Sequence, residues 1–130
     1  MKAMLSMPKN MMNLMEDLAA MGEDVDEAAA AALRAGAETA LDLMLPKIHV
    51  DDGDLLASFQ VGEIKRDGNV TAIEVGQLKG TARREVIKAN VFEYGSSSMA
   101  ADPIVRPAIE AGKSKITKAM RKKLEERGLM

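Results

Sequence analysis

Aromatic side chains are nearly missing: Phe59, Phe92 and Tyr94 are the whole supply in 130 residues. A core must then be built from Leu, Ile, Val, Ala and Met, which pack adaptably and specify a shape less sharply than rings do. Such a chain suits completion by partners. Cysteine is absent, which excludes disulfides, thiolate metal sites and cysteine nucleophiles and fits a reducing compartment. His49 is the single histidine. It leaves no His-based metal cluster and, with no nucleophile or titratable partner nearby, reads as a turn residue rather than a base. No apolar run reaches membrane-spanning length and no signal-peptide pattern opens the chain, so the expectation is a soluble protein with no membrane partner, cytoplasmic where it is made.

The length allows one modest core, and the chain shows no internal repeat or dividing linker. The expectation is a single domain over residues 1–130, with residues 1–22 as an N-terminal interaction helix. Met4, Met7, Met11, Met15 and Leu18 recur at helical spacing, widened by Leu14 and Met21. They predict an amphipathic helix over 9–21, with Pro8 near its start and Gly22 at its end. Seven methionines fall within the first 21 residues, a stripe that serves either as core or as an adaptable docking surface.

A longer helix follows, capped by Asp24 or Asp26, burying Ala30, Leu33, Ala37, Ala40, Leu41 and Met44, and stopped by Pro46. Alanines at 28–32 allow very close packing. Asp52 is the expected cap of a short connector, helical or extended, that ends at Ser58. Phe59–Lys65 and Val70–Val75 alternate as strands around an Asp67-Gly68 hairpin turn. Residues 85–92 stay open between strand, favoured by Val86-Ile87 and Val91-Phe92, and helix. A last helix from Pro107 to about Arg127 buries Ile109, Ile116, Met120 and Leu124. The fold class is therefore α+β, with N-terminal helices and a long C-terminal helix packed on a small antiparallel sheet.

Chemistry-bearing motifs are few. Asp51, Asp52 and Asp54 resemble a piece of a calcium loop, but Leu55 and Gly62 occupy positions that should carry ligands. The glycines at 76, 80 and 95 form no phosphate loop. Neither a catalytic residue, a cofactor nor a metal is expected. The stretch 93–111 is instead a backbone device leading from the sheet to the last helix. Gly95 supplies a φ-permissive turn after Tyr94, Ser96 to Ser98 keep the chain on the surface, and Pro103 and Pro107 frame a rigid arm. Asp102 and Arg106, each before a proline, are expected to be extended. Arg106 is expected to pair with Glu93 across the loop, as a buried ion pair whose rupture costs about 3–5 kcal/mol.

Two motifs carry a resemblance. Asp51-Asp52-Gly53-Asp54-Leu55-Leu56-Ala57-Ser58 is similar to an Asp-Thr-Gly-x-Leu-x-x-Ser pattern following a long N-terminal helix. Glu93-Tyr94-Gly95-Ser96, a small-residue loop and Pro103-Ile104-Val105-Arg106-Pro107-Ala108 match a Glu-aromatic-Gly-Thr/Ser turn that leads into a Pro-x-x-Arg-Pro-Ala arm. The chain thus resembles, over roughly residues 24–127, the gene-product-ten-like tail-component proteins of long-tailed bacteriophages. Asp52 stands where threonine is usual, His49 where proline often stands, Leu56 where a basic residue is common and Ile104 where an aromatic is typical. The resemblance implies a non-enzymatic virion protein of the neck or tail-completion region, assembled in the host cytoplasm. It also implies a ring that joins head connector to tail tube, with phage connector and tail proteins as partners and DNA passing without sequence-specific contact. The motif residues Asp52, Gly53, Leu55, Ser58, Glu93, Tyr94, Gly95, Pro103, Arg106 and Pro107 are the structural positions it marks.

Net charge is only −2, but it is polarised. Eleven acids face two bases from Glu16 to Asp54, whereas seven bases face two acids from Lys113 to Arg127. The expectation is a head-to-tail contact in which Glu23, Asp24, Asp26, Glu27, Glu38 and Asp42 of one copy meet Lys115, Lys118, Arg121 and Lys122 of the next. The alternative is a small cytoplasmic nucleic-acid-binding module using the same basic helix.

Overall fold

The computed structural model describes residues 1–22, 24–48, 53–67 and 70–128. In chain order the elements are β1 (Lys2–Ser6), α1 (Met12–Ala20), α2 (Val25–Met44), α3 (Gly53–Ser58), β2 (Phe59–Asp67), β3 (Val70–Gln77), α4 (Arg83–Tyr94) and α5 (Val105–Gly128). The expected α+β class is what is found: helices and one antiparallel sheet of order β1-β3-β2. Glu23, His49, Asp51, Asp52 and Gly68, for which the sequence sets expectations, lie outside the described residues.

Asp24 is the cap of α2. Its Oδ1 accepts from the N–H groups of Asp26 at 3.0 Å and Glu27 at 3.2 Å, satisfying two donors that a helix start leaves open. Pro46 follows the last residues of α2, where the chain tightens into a 3-10 turn over Leu45–Lys47. Between these ends the buried set is Ala28, Ala29, Ala30, Ala32, Leu33, Gly36, Ala37, Ala40 and Met44, wider than one face. The reason is that α2 is covered twice: the sheet lies on one side and α5 on the other. A helix with so wide an apolar arc belongs between layers, with Arg34, Glu38 and Asp42 left on its exposed strip. Gly36 and Gly112 let the two helices close, because a Cβ on Gly36 would lie 2.5 Å from Met120 Cε and one on Gly112 would run into Leu43.

β3 carries Ile73 and Val75, both fully buried, toward α2. Leu5 and Ala3 of β1 stand beside them, as do Ile64 and Val61 of β2. Between Val61 and Ile64 the register slips, so that Gly62 and Glu63 oppose Glu74 alone, a bulge that increases local twist at the sheet edge. On the opposite sheet face Glu74 is held by Lys2 at 3.0 Å and by Lys65. The two lysines, Lys65 first, hold its carboxyl below the ordinary glutamate value.

Three expectations are corrected. The helix expected over 9–21 is found, as a 3-10 turn over Lys9–Met11 running into α1, but the methionine stripe extends beyond it: Met4 belongs to β1 and is exposed, whereas Met11 and Leu18 are buried and Met21 is exposed after α1. The segment 1–22 therefore contributes a strand and core residues rather than standing apart. The inward residues of β1 are Ala3 and Leu5, whereas the helical spacing picks out Met4, which the strand turns outward. Arg106 is not extended before Pro107; it lies in the first turn of α5, where no preceding turn exists for the proline ring to strike. The 95–104 loop joins α4 to α5, not sheet to helix, because residues 85–92 are helical.

Gly76 sets how close β1 can come to β3. Its φ is +127°, and a Cβ there would lie 2.6 Å from the Met1 carbonyl oxygen and 2.7 Å from Lys2 Cα. Gly76→Ala is expected to lower stability by about 1–3 kcal/mol through strain and loss of strand pairing, read as a lower Tm with faster amide exchange along Lys2–Ser6.

Candidate functional site

α4 ends and α5 begins around one carboxylate. Glu85, Ala89 and Glu93 lie at four-residue spacing and form the buried stripe of α4. This places Glu93, 1% exposed, against the start of α5. Its Oε1 accepts from the N–H groups of Ile104 at 2.9 Å and Val105 at 2.8 Å, and its Oε2 accepts from the Arg106 N–H at 3.0 Å. Pro107, the next residue, has no N–H to satisfy. The open amides at this helix start are thus met by a side chain eleven to thirteen residues earlier, and its negative charge sits where the helix dipole favours it.

Arg106 closes the device from outside. Its Nε donates to Glu93 Oε2 at 3.1 Å, and its Nη2 donates to the Glu93 carbonyl oxygen. The guanidinium lies over the Tyr94 ring, 5.2 Å from the centroid, in cation–π range. The pair expected from the sequence exists in the structure, but it is buried on one side only: the arginine side chain is 52% exposed. Burial pushes the Glu93 carboxyl up, and the N–H donors of Val105, Arg106 and Ile104 with the Arg106 side chain overcome it, leaving the pKa below the ordinary value.

Gly95 makes the return possible. Its N–H donates to the Val91 carbonyl at 2.7 Å and ends α4 with φ +78°. A Cβ there would lie 2.9 Å from Ala101 N and 3.0 Å from Met99 O. The loop is tied by Ser96 N–H to Met99 O at 2.8 Å and Asp102 N–H to Phe92 O at 2.7 Å. Pro103 is half-buried just before the amides that Glu93 holds. The surface so presented carries Tyr94, 64% exposed, with Met99 and, further along α4, Ile87.

The other motif forms a second cluster. Leu55 is buried; Gly53 is exposed at the start of α3. Ser58 donates to the Leu55 carbonyl at 2.6 Å and accepts from Gln77 Nε2 at 3.1 Å. Gln77 also donates to the Glu85 carbonyl at 2.9 Å and accepts from the Met1 amino group at 3.0 Å, so one buried amide joins α3, β3, α4 and the start of the chain. Gln77 and Glu74 were not marked by the sequence reading. Their signal was a polar residue inside an otherwise apolar strand, which folds only if paired.

Asp24, Asp26, Glu27, Glu38, Asp42, Lys115, Lys118, Arg121 and Lys122 are all exposed. The structure brings part of the acidic set beside part of the basic set within one molecule, because α2 packs on α5. Arg127 Nη2 stands 3.7 Å from Glu27 Oε1, and Glu38, Asp42, Lys122 and Lys123 line one shallow groove of about 270 Å³. Asp26 meets Arg66 at 3.5 Å.

Glu93→Ala is expected to cost about 3–5 kcal/mol, because it strands buried amides. Arg106→Ala, at a half-solvated partner, costs about 1 kcal/mol or less. Gly95→Val costs about 1–3 kcal/mol. A folded pKa lowered in this way stabilises the protein above the ordinary value of 4.5 and loses that contribution as pH falls through the folded pKa. Denaturant titrations should therefore show an acid-side loss that is shallower in Glu93→Gln, with Glu74 still contributing.

Among known protein families, residues 13–95 match the family model described as "Bacteriophage HK97-gp10, putative tail-component". No curated protein and no solved structure matches the chain. The matched residues run from α1 to Gly95 and include α3, Ser58 and Glu93; the Pro103–Pro107 arm that Glu93 holds lies beyond them. The chain belongs to the HK97-gp10-like family of bacteriophage tail-component proteins.

Proposed function

We propose that this chain is a non-enzymatic assembly subunit of the virion, acting at the junction of head and tail as one member of a ring that joins connector to tail tube. Membership of a tail-component family supports the virion role and implies contact with other phage proteins. The observation that carries the finer reading is the surface fixed by Glu93. Ile87 and Tyr94 on α4 and Met99 in the loop that follows are exposed, and the backbone of that loop is tied at both ends. An apolar set held rigid loses little entropy when a partner covers it.

This reading moves the main subunit contact away from opposite charges. The expected docking of acidic α2 onto basic α5 assumed that neither set had a neighbour to neutralise it. In the folded chain Glu27, Glu38 and Asp42 already have basic neighbours from α5. Remaining rim charges would set encounter rate and register, and the apolar surface of α4 would hold the neighbour.

Tyr94→Ser combined with Met99→Ser should change monomer stability by about 1 kcal/mol or less, as surface substitutions do, yet reduce incorporation into particles. Electron microscopy of virions carrying labelled chain is the measurement. Label at the head–tail junction, with tailless heads accumulating in the double variant, is the expected result. Label along the tail shaft, or normal particles from the double variant, would sink the reading.

A further inference from the structure

α5 has an outward face on which cations outnumber acids. Between residues 111 and 124 there are six cations and no acid. Those nearest α2 have acids beside them: Lys122 and Lys123 share the groove with Glu38 and Asp42, and Lys123 also stands 3.9 Å from Glu126. Lys113, Lys118 and Arg121 do not line that groove. With the hydroxyls of Ser114 and Thr117 and the Glu110 carboxylate they line a separate open groove of about 610 Å³. Lys115 is exposed and lines neither groove.

We propose that this face binds double-stranded DNA through its phosphates, without reading sequence. Protein-docking surfaces gather aromatic and apolar anchors and are depleted in lysine. Here three cations and two hydroxyls surround Ala111, with Glu110 as the one acid lining the groove. Cations with interspersed hydroxyls are what positions a protein on a phosphate backbone. Reading of single strands is disfavoured, because stacking platforms need rings and this face has none. The geometry also fits in length. Lys113 to Arg121 spans about 12 Å of helix, which faces about three to four phosphates of one strand at about 3.4 Å each.

The inference rests on the exposed face of α5 alone and holds whether or not a ring forms. Fluorescence anisotropy of a labelled duplex of about 20 base pairs, titrated with the purified full chain from about 25 to about 150 mM salt, tests it. Four phosphate contacts predict that the logarithm of affinity falls with the logarithm of salt at a slope of about −3 to −4. Two unrelated duplex sequences should bind alike. The variant Lys113→Gln, Lys118→Gln, Arg121→Gln should bind at least about tenfold more weakly and with a slope nearer −1, with an unchanged circular dichroism spectrum and melting temperature. No binding at the lowest salt overturns the proposal, as does an undiminished slope in the triple variant. Polyglutamate competing as well as duplex would also overturn it, marking the face as a surface for an acidic protein.

Discussion

The carboxylate of Glu93 governs where the last third of the chain goes. A helix start exposes amides that must find acceptors, and α5 supplies no side chain of its own at the position where Asp24 serves α2. Glu93 does that from the end of α4, tying the start of α5 to the end of α4. From that start α5 lies along α2, and α2 in turn lies on the sheet. A break at Glu93 would therefore loosen more than a surface loop.

The middle layer imposes the second constraint. α2 is covered from two sides, which demands small residues on both, and the chain supplies alanines with Gly36 there and Gly112 opposite. Close approach partly replaces the bulk that aromatics would have provided. It also brings the acidic helix against the basic one, so charges far apart in sequence become neighbours. One open groove on α5 is lined mainly by cations and hydroxyls, and Ile87, Tyr94 and Met99 form an exposed apolar set on α4 and the loop after it. The two surfaces differ in chemistry and so suit different partners: an apolar one that another protein could cover, and a cationic one suited to a polyanion.

The family match ends where the loop begins, yet the physical unit does not. Glu93 and Gly95 have meaning only with the Pro103–Pro107 arm, since the carboxylate needs the amides of residues 104–106 and the glycine needs the chain to return past it. Ser58 likewise acts through Gln77, which stands in another element. In both motifs a short sequence pattern marks one half of a contact whose other half is remote.

Several elements were legible from residue order alone because their causes are local. Asp24 as cap, Pro46 as stop, the apolar stripe of α2, the alternation in β2 and β3, and the turn at Gly95 each depend on neighbours within a few positions. The pairing of Glu93 with Arg106 was also readable, because the two prolines and the glycine limit where the loop can go. Residues 85–92 were not settled, because the stripe that α4 buries consists of Glu85, Ala89 and Glu93, while Val86, Ile87 and Val91 face outward or lie half-covered. Apolar periodicity cannot report a helix whose buried face is acidic. β1 was hidden because a five-residue strand is stabilised by its partner and not by its own pattern. By itself the sequence determined α1, α2 and α5, the hairpin strands, the turn at Gly95 with its Glu93–Arg106 pair, and the family resemblance. Only the tertiary structure decided that α2 and α5 share their charges, that Gln77 and Glu74 are buried and paired, and which face of α5 stays cationic. Those depend on which helices touch, and residue order carries no measure of that.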